Sequence, residues 1–402
     1  METIELTDFR TCEAALKDQN LKQALYDEGA IVMERVLVTL HGDEHRERRL
    51  LEMRVFRRDF FRRYEQEVIP QIYEKVISRY REDGAMDIVD FGYRVMVYLA
   101  IAFAGLDTQD GSPEEFDDLV RMLRTFGVAA TLGQSNIDRD AAKVEIQETL
   151  DEFDQRFFTP SAERRRALIE RLEAGEIDEA DLPMDVLTVL LRNEDRVELV
   201  RDMVLRETAF YFLAGAHTSV HSLGHIVHHL LEWCEAHPDD REQLANYTSR
   251  LQHFVHESFR LHPSSPVSWR KAIGPVSFLD GQKAAVGDKV VVNLREANRD
   301  PTIFGADAAD FVPTREVPPG TDRTGLTFGI GIHACLGKNL AAGTLPRSGE
   351  VVDEGRRQLG TVCWIAQALL KLGIERDPSQ QAQLDQTISR ETWQVYPVVF
   401  PT

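Results

Sequence analysis

The stretch FGIGIHACLGKNLA, residues 328–341, decides how the rest of the chain is read. It sets Cys335, one of only four cysteines, among Gly329, Gly331 and Gly337, with His333 two places before it. Glycines permit backbone conformations closed to other residues and let a chain approach a flat object closely. The residues that follow, LGKNLAA, are good helix formers, which places Cys335 just before a helix N-terminus. There, unpaired N–H groups and the helix dipole favour a thiolate over a thiol. A thiolate in a tight glycine loop is the kind of anionic axial ligand that a haem iron takes. The plain alternative is a buried, inert cysteine in an unusual loop.

Bulk properties narrow the function classes. The chain has 402 residues, 43% of them hydrophobic, and a net charge of −20. The hydrophobic share supports a sizeable core rather than disorder. The negative charge argues against general affinity for nucleic acid or anionic membranes. Cys12, Cys234, Cys335 and Cys363 show no paired spacing, so a disulfide framework is disfavoured and a reducing, cytoplasmic setting is expected. The N-terminal METIELTDFRTCEAALKD lacks the apolar run of a signal peptide or anchor. VMVYLAIAFAGL (95–106) is too short to span a bilayer and fits a buried core helix. Helical periodicity dominates up to residue 262. Short strand-like pieces come later, in 276–294, with Asp280-Gly281 and Gly287-Asp288 as turn signals, and in WQVYPVVF. With no repeat and no linker, the pattern predicts one mainly α domain over residues 1–402 with a minor β component.

In its full pattern, FGIGIHACLGKNLA resembles the haem-ligand signature of the cytochrome P-450 monooxygenases through Phe328, Gly329, Gly331, His333, Cys335, Gly337, Leu340 and Ala341. ESFRLHPSSPVSWR (257–270) resembles the E-x-x-R helix of that family, with Glu257 and Arg260 on one helical face. The same spacing at Glu163/Arg166, Glu198/Arg201 and Glu354/Arg357 reads as solvated ion pairs. The HP after the motif, the Trp269-Arg270 step and ANRDP (297–301) set Glu257 apart, and the resemblance gives the pair a structural role. In HGDEHRERRLLEMRVF (41–56), His45 and Arg49 lie four apart on an expected helix. The resemblance implies that they hold the haem propionates together with Arg270 and His333, since buried carboxylates need charge-assisted partners.

FYFLAGAHTSVHSLGHIVHHLL (210–231) carries a fourth match. AGAHTS (214–219) resembles the oxygen-binding groove of the family's long central helix, where Ala214 and Gly215 leave room beside the iron and Thr218 holds water near oxygen. The family usually has Asp or Glu where this chain has His217. A histidine with a pKa of about 6.5 can relay protons instead, so His217 is expected to do so. A rival reading makes His217, His221, His225 and His228 a metal-binding face, although no Cys, Asp or Glu punctuates that stripe at ligand spacing.

The resemblance covers residues 7–400 and departs from the family in two places. The family carries a longer segment before the HxxxR histidine, so the front strands and helix read as shortened or absent. GTLPRSGEVVDEGRRQLG (343–360), with Pro346 and several glycines, reads as an insertion into the helix after the cysteine. The implied fold is that of cytochrome P-450, a large helical domain with haem b between the central helix and the cysteine loop. The implied reaction inserts one oxygen atom from O2 into a lipophilic small molecule, with electrons from a ferredoxin and its NAD(P)H-dependent reductase. Val32, Met33, Val36 and Leu37, then Phe210, Leu213, Val267 and Ser268, are the expected pocket walls, and they favour a substrate with no charge to be paired. HRERRLLEMRVFRRDFFRR (45–63) holds eight arginines and reads as the docking surface for an acidic ferredoxin. Two alternatives stay open: a peroxide-driven haem enzyme and a haem-binding protein without turnover.

Overall fold

The computed structural model describes residues 2–345 and 357–401. Its longest element is the central helix Arg201–Ala236, 36 residues long and buried over most of its circumference. The apolar run at 95–106 falls largely within the helix Ile88–Ala104, which packs along the central helix. Asp87 caps that helix, its carboxylate accepting from the amides of Val89 and Asp90. The same carboxylate accepts from the Tyr396 amide at 2.8 Å, so the cap also holds the C-terminal strand Pro397–Val399, which pairs with Ala85–Asp87. The helix Pro113–Thr131 starts from a Ser112 cap with Pro113 in its first turn, where a missing N–H costs nothing. It lies across the central helix and pairs with the helix Arg139–Phe153.

A four-stranded sheet stands at one edge, in the order Thr3–Leu6, Lys289–Asn293, Val267–Ala272 and Leu21–Gln23. The first pair is parallel and the other two are antiparallel. A strand, the helix Phe9–Lys17 and a second strand are therefore present at the front of the chain. They close a second, smaller core around Leu6, Phe9, Val290 and Val292. Gly281 and Gly287, at the two expected turns, take φ of 88° and 93°, which few residues other than glycine tolerate.

The helix Lys338–Ala342 stops at Gly343, and a new helix, Thr361–Lys371, begins after Gly360. The Thr344 amide donates to Gln358 O at 2.9 Å, and the Thr361 hydroxyl donates to Leu340 O at 3.0 Å. The chain thus leaves the helix and rejoins it at one place. Most of the expected insertion, residues 346–356, lies outside the described residues. Among the described residues, no helix is long and apolar enough to cross a membrane.

Candidate functional site

The motifs converge on one cavity of about 310 Å³. Cys335, Phe328, Gly329, His333 and Gly337 line one side of it, and Ala214, Gly215 and Thr218 of the central helix line another. Cys335 sits in a tight loop in which its own amide donates to Phe328 O at 2.8 Å. Gly329 and Gly331 take φ of 61° and 74° to make that turn. Burial pushes the Cys335 thiol up, while the amides of Gly337 and Lys338 and the charge of Arg49 pull it back toward thiolate. The thiol is open to the cavity; Cys12, Cys234 and Cys363 are buried elsewhere.

Glu257 and Arg260 form the pair that their spacing predicts, with contacts of 2.8 Å and 2.7 Å in a fully buried setting. Arg260 also donates to Asn298 O and Ala308 O, while Asn298 donates to Arg260 O and Thr327 Oγ1 and accepts from the Leu326 amide. A continuous chain of hydrogen bonds therefore runs from the motif to the loop that holds the cysteine. Arg315, which sequence reasoning missed, bonds the same Glu257 oxygen at 3.0 Å. By contrast, Arg166 and Arg201 do not pair with Glu163 and Glu198; they reach Glu194 and Asp154.

The residues expected to hold cofactor carboxylates are drawn together. His45 and His333 have ring centroids 4.6 Å apart. Arg49 donates to Ala334 O at 2.6 Å, and Arg270 to Gln23 Oε1 at 2.6 Å. All four line the cavity. Nε2 of His45 and both ring nitrogens of His333 are buried without a partner. Burial, then Arg49, pushes His45 down to about 4; burial, then Arg270, pushes His333 down to about 3. Arg270 is pushed down to about 10 by burial. Four basic side chains around one cavity wall, none paired with a carboxylate among the described residues, fit a dianionic group such as the two propionates of haem b.

On the opposite wall, the Thr218 hydroxyl donates to Ala214 O at 2.9 Å, and nothing lies within 4 Å of where a Cβ on Gly215 would point. The relay expected at His217 does not match the geometry. Its ring turns away from the cavity, with Nδ1 2.9 Å from the Tyr93 hydroxyl and Nε2 3.1 Å from His221 Nε2. The ring fits only because residue 127 is glycine, where a Cβ would meet it at 2.6 Å. Burial, with the charges of Arg390 and Arg124, pushes His217 down to about 3, out of the range in which it could carry protons near neutrality. The rival metal face also fails: among the described residues no group of three or more His, Cys, Asp or Glu is arranged to hold an ion.

Of the expected pocket walls, Leu37, Phe210 and Ser268 line the cavity. Val32, Met33, Val36 and Leu213 are instead packed into the hydrophobic core, and Val267 stands on its strand outside the lining. The reason is helical and loop phase: one residue in three or four can face the cavity while its neighbours face the core. The wall that sequence reasoning missed is Met96, Leu99, Ala100 and Phe103 of the helix Ile88–Ala104. The apolar run at 95–106 was its only signal. Also missed was a buried ionic cluster behind the cavity. Arg48 pairs with Glu52 and Glu207, Tyr211 donates to Glu52 at 2.6 Å, and Glu207 accepts from the Leu37 amide. Burial, then Glu52, pushes Glu207 up to about 8.

Comparison with known proteins follows the same line. The sequence pattern described as Cytochrome P450 matches residues 8–345. A putative cytochrome P450 126 of Mycobacterium tuberculosis is 41% identical over 131 residues, which is 32% of this chain and 29% of that one. An indoleacetaldoxime dehydratase of Arabidopsis thaliana is 35% identical over 98 residues, 23% of this chain and 20% of its own. The chain thus spans between a fifth and a third of the length of these curated relatives. The crystal structure of CalO2 shares the fold, with a TM-score of 0.73 at 21% identity over 99% of this chain and 90% of that chain.

Proposed function

Since the chain belongs to the cytochrome P450 family, we propose that it is a haem-thiolate monooxygenase that inserts one oxygen atom from O2 into a lipophilic small molecule in the cytoplasm. Haem b is the family's cofactor, and when bound it supplies the iron that activates oxygen. Cys335 is the residue to hold that iron, its sulfur facing the amides of Gly337 and Lys338. His45, Arg49, Arg270 and His333, which line the same cavity, would hold the two propionates and exclude solvent from them. The Thr218 hydroxyl spends its proton on Ala214 O, which leaves its oxygen free to accept from a water and so to fix a proton donor beside Gly215. The side chains of Met96, Leu99, Phe103 and Phe210 keep that water in otherwise apolar surroundings.

The observation that carries this reading is the single cavity shared by Cys335, Thr218 and the four basic side chains. A ferredoxin with its NAD(P)H-dependent reductase is the proposed electron source. Arg46, Arg54 and Arg57 are exposed beside the helix whose Arg49 touches the cysteine loop, an arrangement that suits an acidic partner. Arg48 and Arg49 point inward and are not part of that surface. Turnover under ¹⁸O2 with ferredoxin and reductase tests the proposal. One labelled oxygen in the product supports it. Product free of label rejects it in favour of a dehydration, and turnover with peroxide but none with O2, ferredoxin and reductase rejects it in favour of a peroxide-driven reaction.

A further inference from the structure

Behind the central-helix wall lies a charge cluster that the proposed reaction does not use. Arg48 of the helix Gly42–Glu52 donates to Glu52 Oε1 at 2.9 Å and to Glu207 of the central helix. All three side chains are fully buried. Tyr211, one turn after Glu207, donates its hydroxyl proton to Glu52 Oε2 at 2.6 Å. Both oxygens of Glu207 accept from the Leu37 amide at 3.0 Å. Two carboxylates on one guanidinium leave a negative charge over, which a dry site disfavours until a proton is taken up. Burial, then Glu52, accordingly pushes Glu207 up to about 8, and burial raises Glu52 as well. The helices Ala30–Met33 and Val186–Leu191, packed on the central helix, have no ionisable side chain. Ile88–Ala104 presents Phe103 to the Tyr211 ring, while its Asp90 and Arg94 pair with each other. Of the neighbouring arginines, Arg54 is exposed and Arg206 pairs with Glu34.

The cluster meets the cavity through three residues. Leu37, Tyr211 and Arg49 all line it. Arg49 follows Arg48 in the chain and donates to Ala334 O, next to Cys335. Burial pushes Arg49 down, and Tyr211, Cys335 and Glu52 act in the opposite direction. One cation is thus shared electrostatically between the buried carboxylates and the cysteine loop. A change of charge on either side is felt on the other.

We propose that Glu52 and Glu207 act through Arg49 as positioning residues for electron entry, one proton joining the cluster as one electron reaches the haem. The proposal rests on reading the cavity as a haem site. The electron comes from the one-electron donor and the proton from solvent. The carboxyl O–H is the one bond formed, and reoxidation returns both particles. Below about pH 8 the cluster holds its proton in either state of the cofactor, so the potential does not depend on pH. At higher pH the oxidised protein has lost that proton, and the extra negative charge makes reduction less favourable.

The test is a dye-coupled reductive titration of the haem-loaded protein, repeated from about pH 6.5 to about pH 9.5. His45 and His333, held down at about 4 and about 3, do not titrate in that range. The parent's reduction equilibrium constant should stay level at first and then fall about three- to tenfold, the scale of one unit charge at an effective dielectric constant of about 20. Glu207→Gln leaves Arg48 and Glu52 matched, so it should coincide with the parent at low pH and stay level throughout. Tyr211→Phe removes a donor that keeps Glu52 ionised, so its fall should begin at higher pH. A level parent curve overturns the proposal, as does a Glu207→Gln curve that bends where the parent does. A uniform offset with the bend unchanged also overturns it, and makes the cluster a structural strut. If Glu207→Gln does not fold, the parent and Tyr211→Phe decide, and a bend that Tyr211→Phe leaves in place overturns the proposal. The ferrous carbonyl band reports haem–thiolate ligation independently, so a normal band beside a potential without pH dependence strikes this proposal alone.

Discussion

The two walls of the cavity are built differently. The cysteine wall is built around local pairs, Cys335 in its own loop and Glu257 with Arg260 three residues on, which the distant Asn298 then links to Leu326 and Thr327. The central-helix wall is held by partners far apart: His217 by Tyr93 and Gly127, and Glu207 by Arg48. Behind the cysteine wall, the charges of the Glu257 network are matched. Glu257 receives two arginines, Arg260 and Arg315, and those arginines spend their remaining donors on backbone oxygens and Asp307. Behind the other wall, two carboxylates share one guanidinium. Matched charge fixes a scaffold, while the excess carboxylate beside Arg48 marks where the protein is poised to respond to a proton.

The sharpest break in this comparison is at the cysteine itself. Cys335→Ser should abolish the strongly red-shifted carbonyl band of the reduced protein, whereas Ala at Cys12, Cys234 or Cys363 should retain it, since those thiols are buried away from the cavity. A red-shifted band in Cys335→Ser would falsify the haem–thiolate assignment. Next in size is Arg260→Met. It strips Glu257 of its bidentate partner and leaves the oxygens of Asn298 and Ala308 without their donor, a loss of about 3–5 kcal/mol. The thermal midpoint and the haem content of purified protein should both fall, because the hydrogen-bond chain to the cysteine loop starts there.

What could be read from the sequence follows the same division. Cys335, Glu257/Arg260 and His45/Arg49 were legible because each is defined by spacing along one loop or helix. The pairing of Arg48 with Glu207 spans 159 residues, and no local pattern announces it. Arg315 and Asn298 were hidden for the same reason. The pocket walls at Val32, Met33, Val36 and Leu213 failed on phase, since apolar character alone does not tell a cavity-facing side chain from a core-facing one. His217 failed on orientation. The motif fixes where the residue stands on the helix, but Gly127 on a different helix decides which way its ring can turn.

The shared proton behind the central-helix wall gives a smaller, graded effect. Glu207 has its pKa raised to about 8, so the folded state holds a proton that the unfolded chain releases near the ordinary carboxylate value. The stability this confers is present at low pH and is lost as pH rises through 8. Glu207→Gln keeps an acceptor for the Leu37 amide and removes the titration. Between pH 6 and 9 the parent should therefore lose stability relative to Glu207→Gln, by no more than about 1.4 kcal/mol per pH unit. Parallel thermal-midpoint curves for parent and variant across that range would mean that the proton sits elsewhere, on Glu52 or Tyr211.

The smallest expected effect is at His217, and it tests whether the central-helix wall delivers protons through a side chain at all. The imidazole touches Tyr93 and His221, not the cavity, and at a pKa of about 3 it stays neutral across the working range. His217→Ala should then leave the coupling of NAD(P)H oxidation to product as in the parent, and the pH profile of turnover should not change. Thr218→Ala, which removes the cavity-wall hydroxyl bonded to Ala214 O, should divert electrons to hydrogen peroxide. Stability tells the same story with a definite sign. A histidine with a depressed pKa contributes stability above its unfolded value of about 6.5 and loses it as pH falls toward 3, because the unfolded chain takes up the proton first. The parent should therefore destabilise more steeply than His217→Ala as pH falls from 7 to 4. At neutral pH the variant should be about 1 kcal/mol less stable, the cost of leaving the Tyr93 hydroxyl unpaired. Peroxide release that rises in His217→Ala with Thr218 intact would return the histidine to the proton path, and with it the idea that this wall, like the cysteine wall, is governed by its local motif.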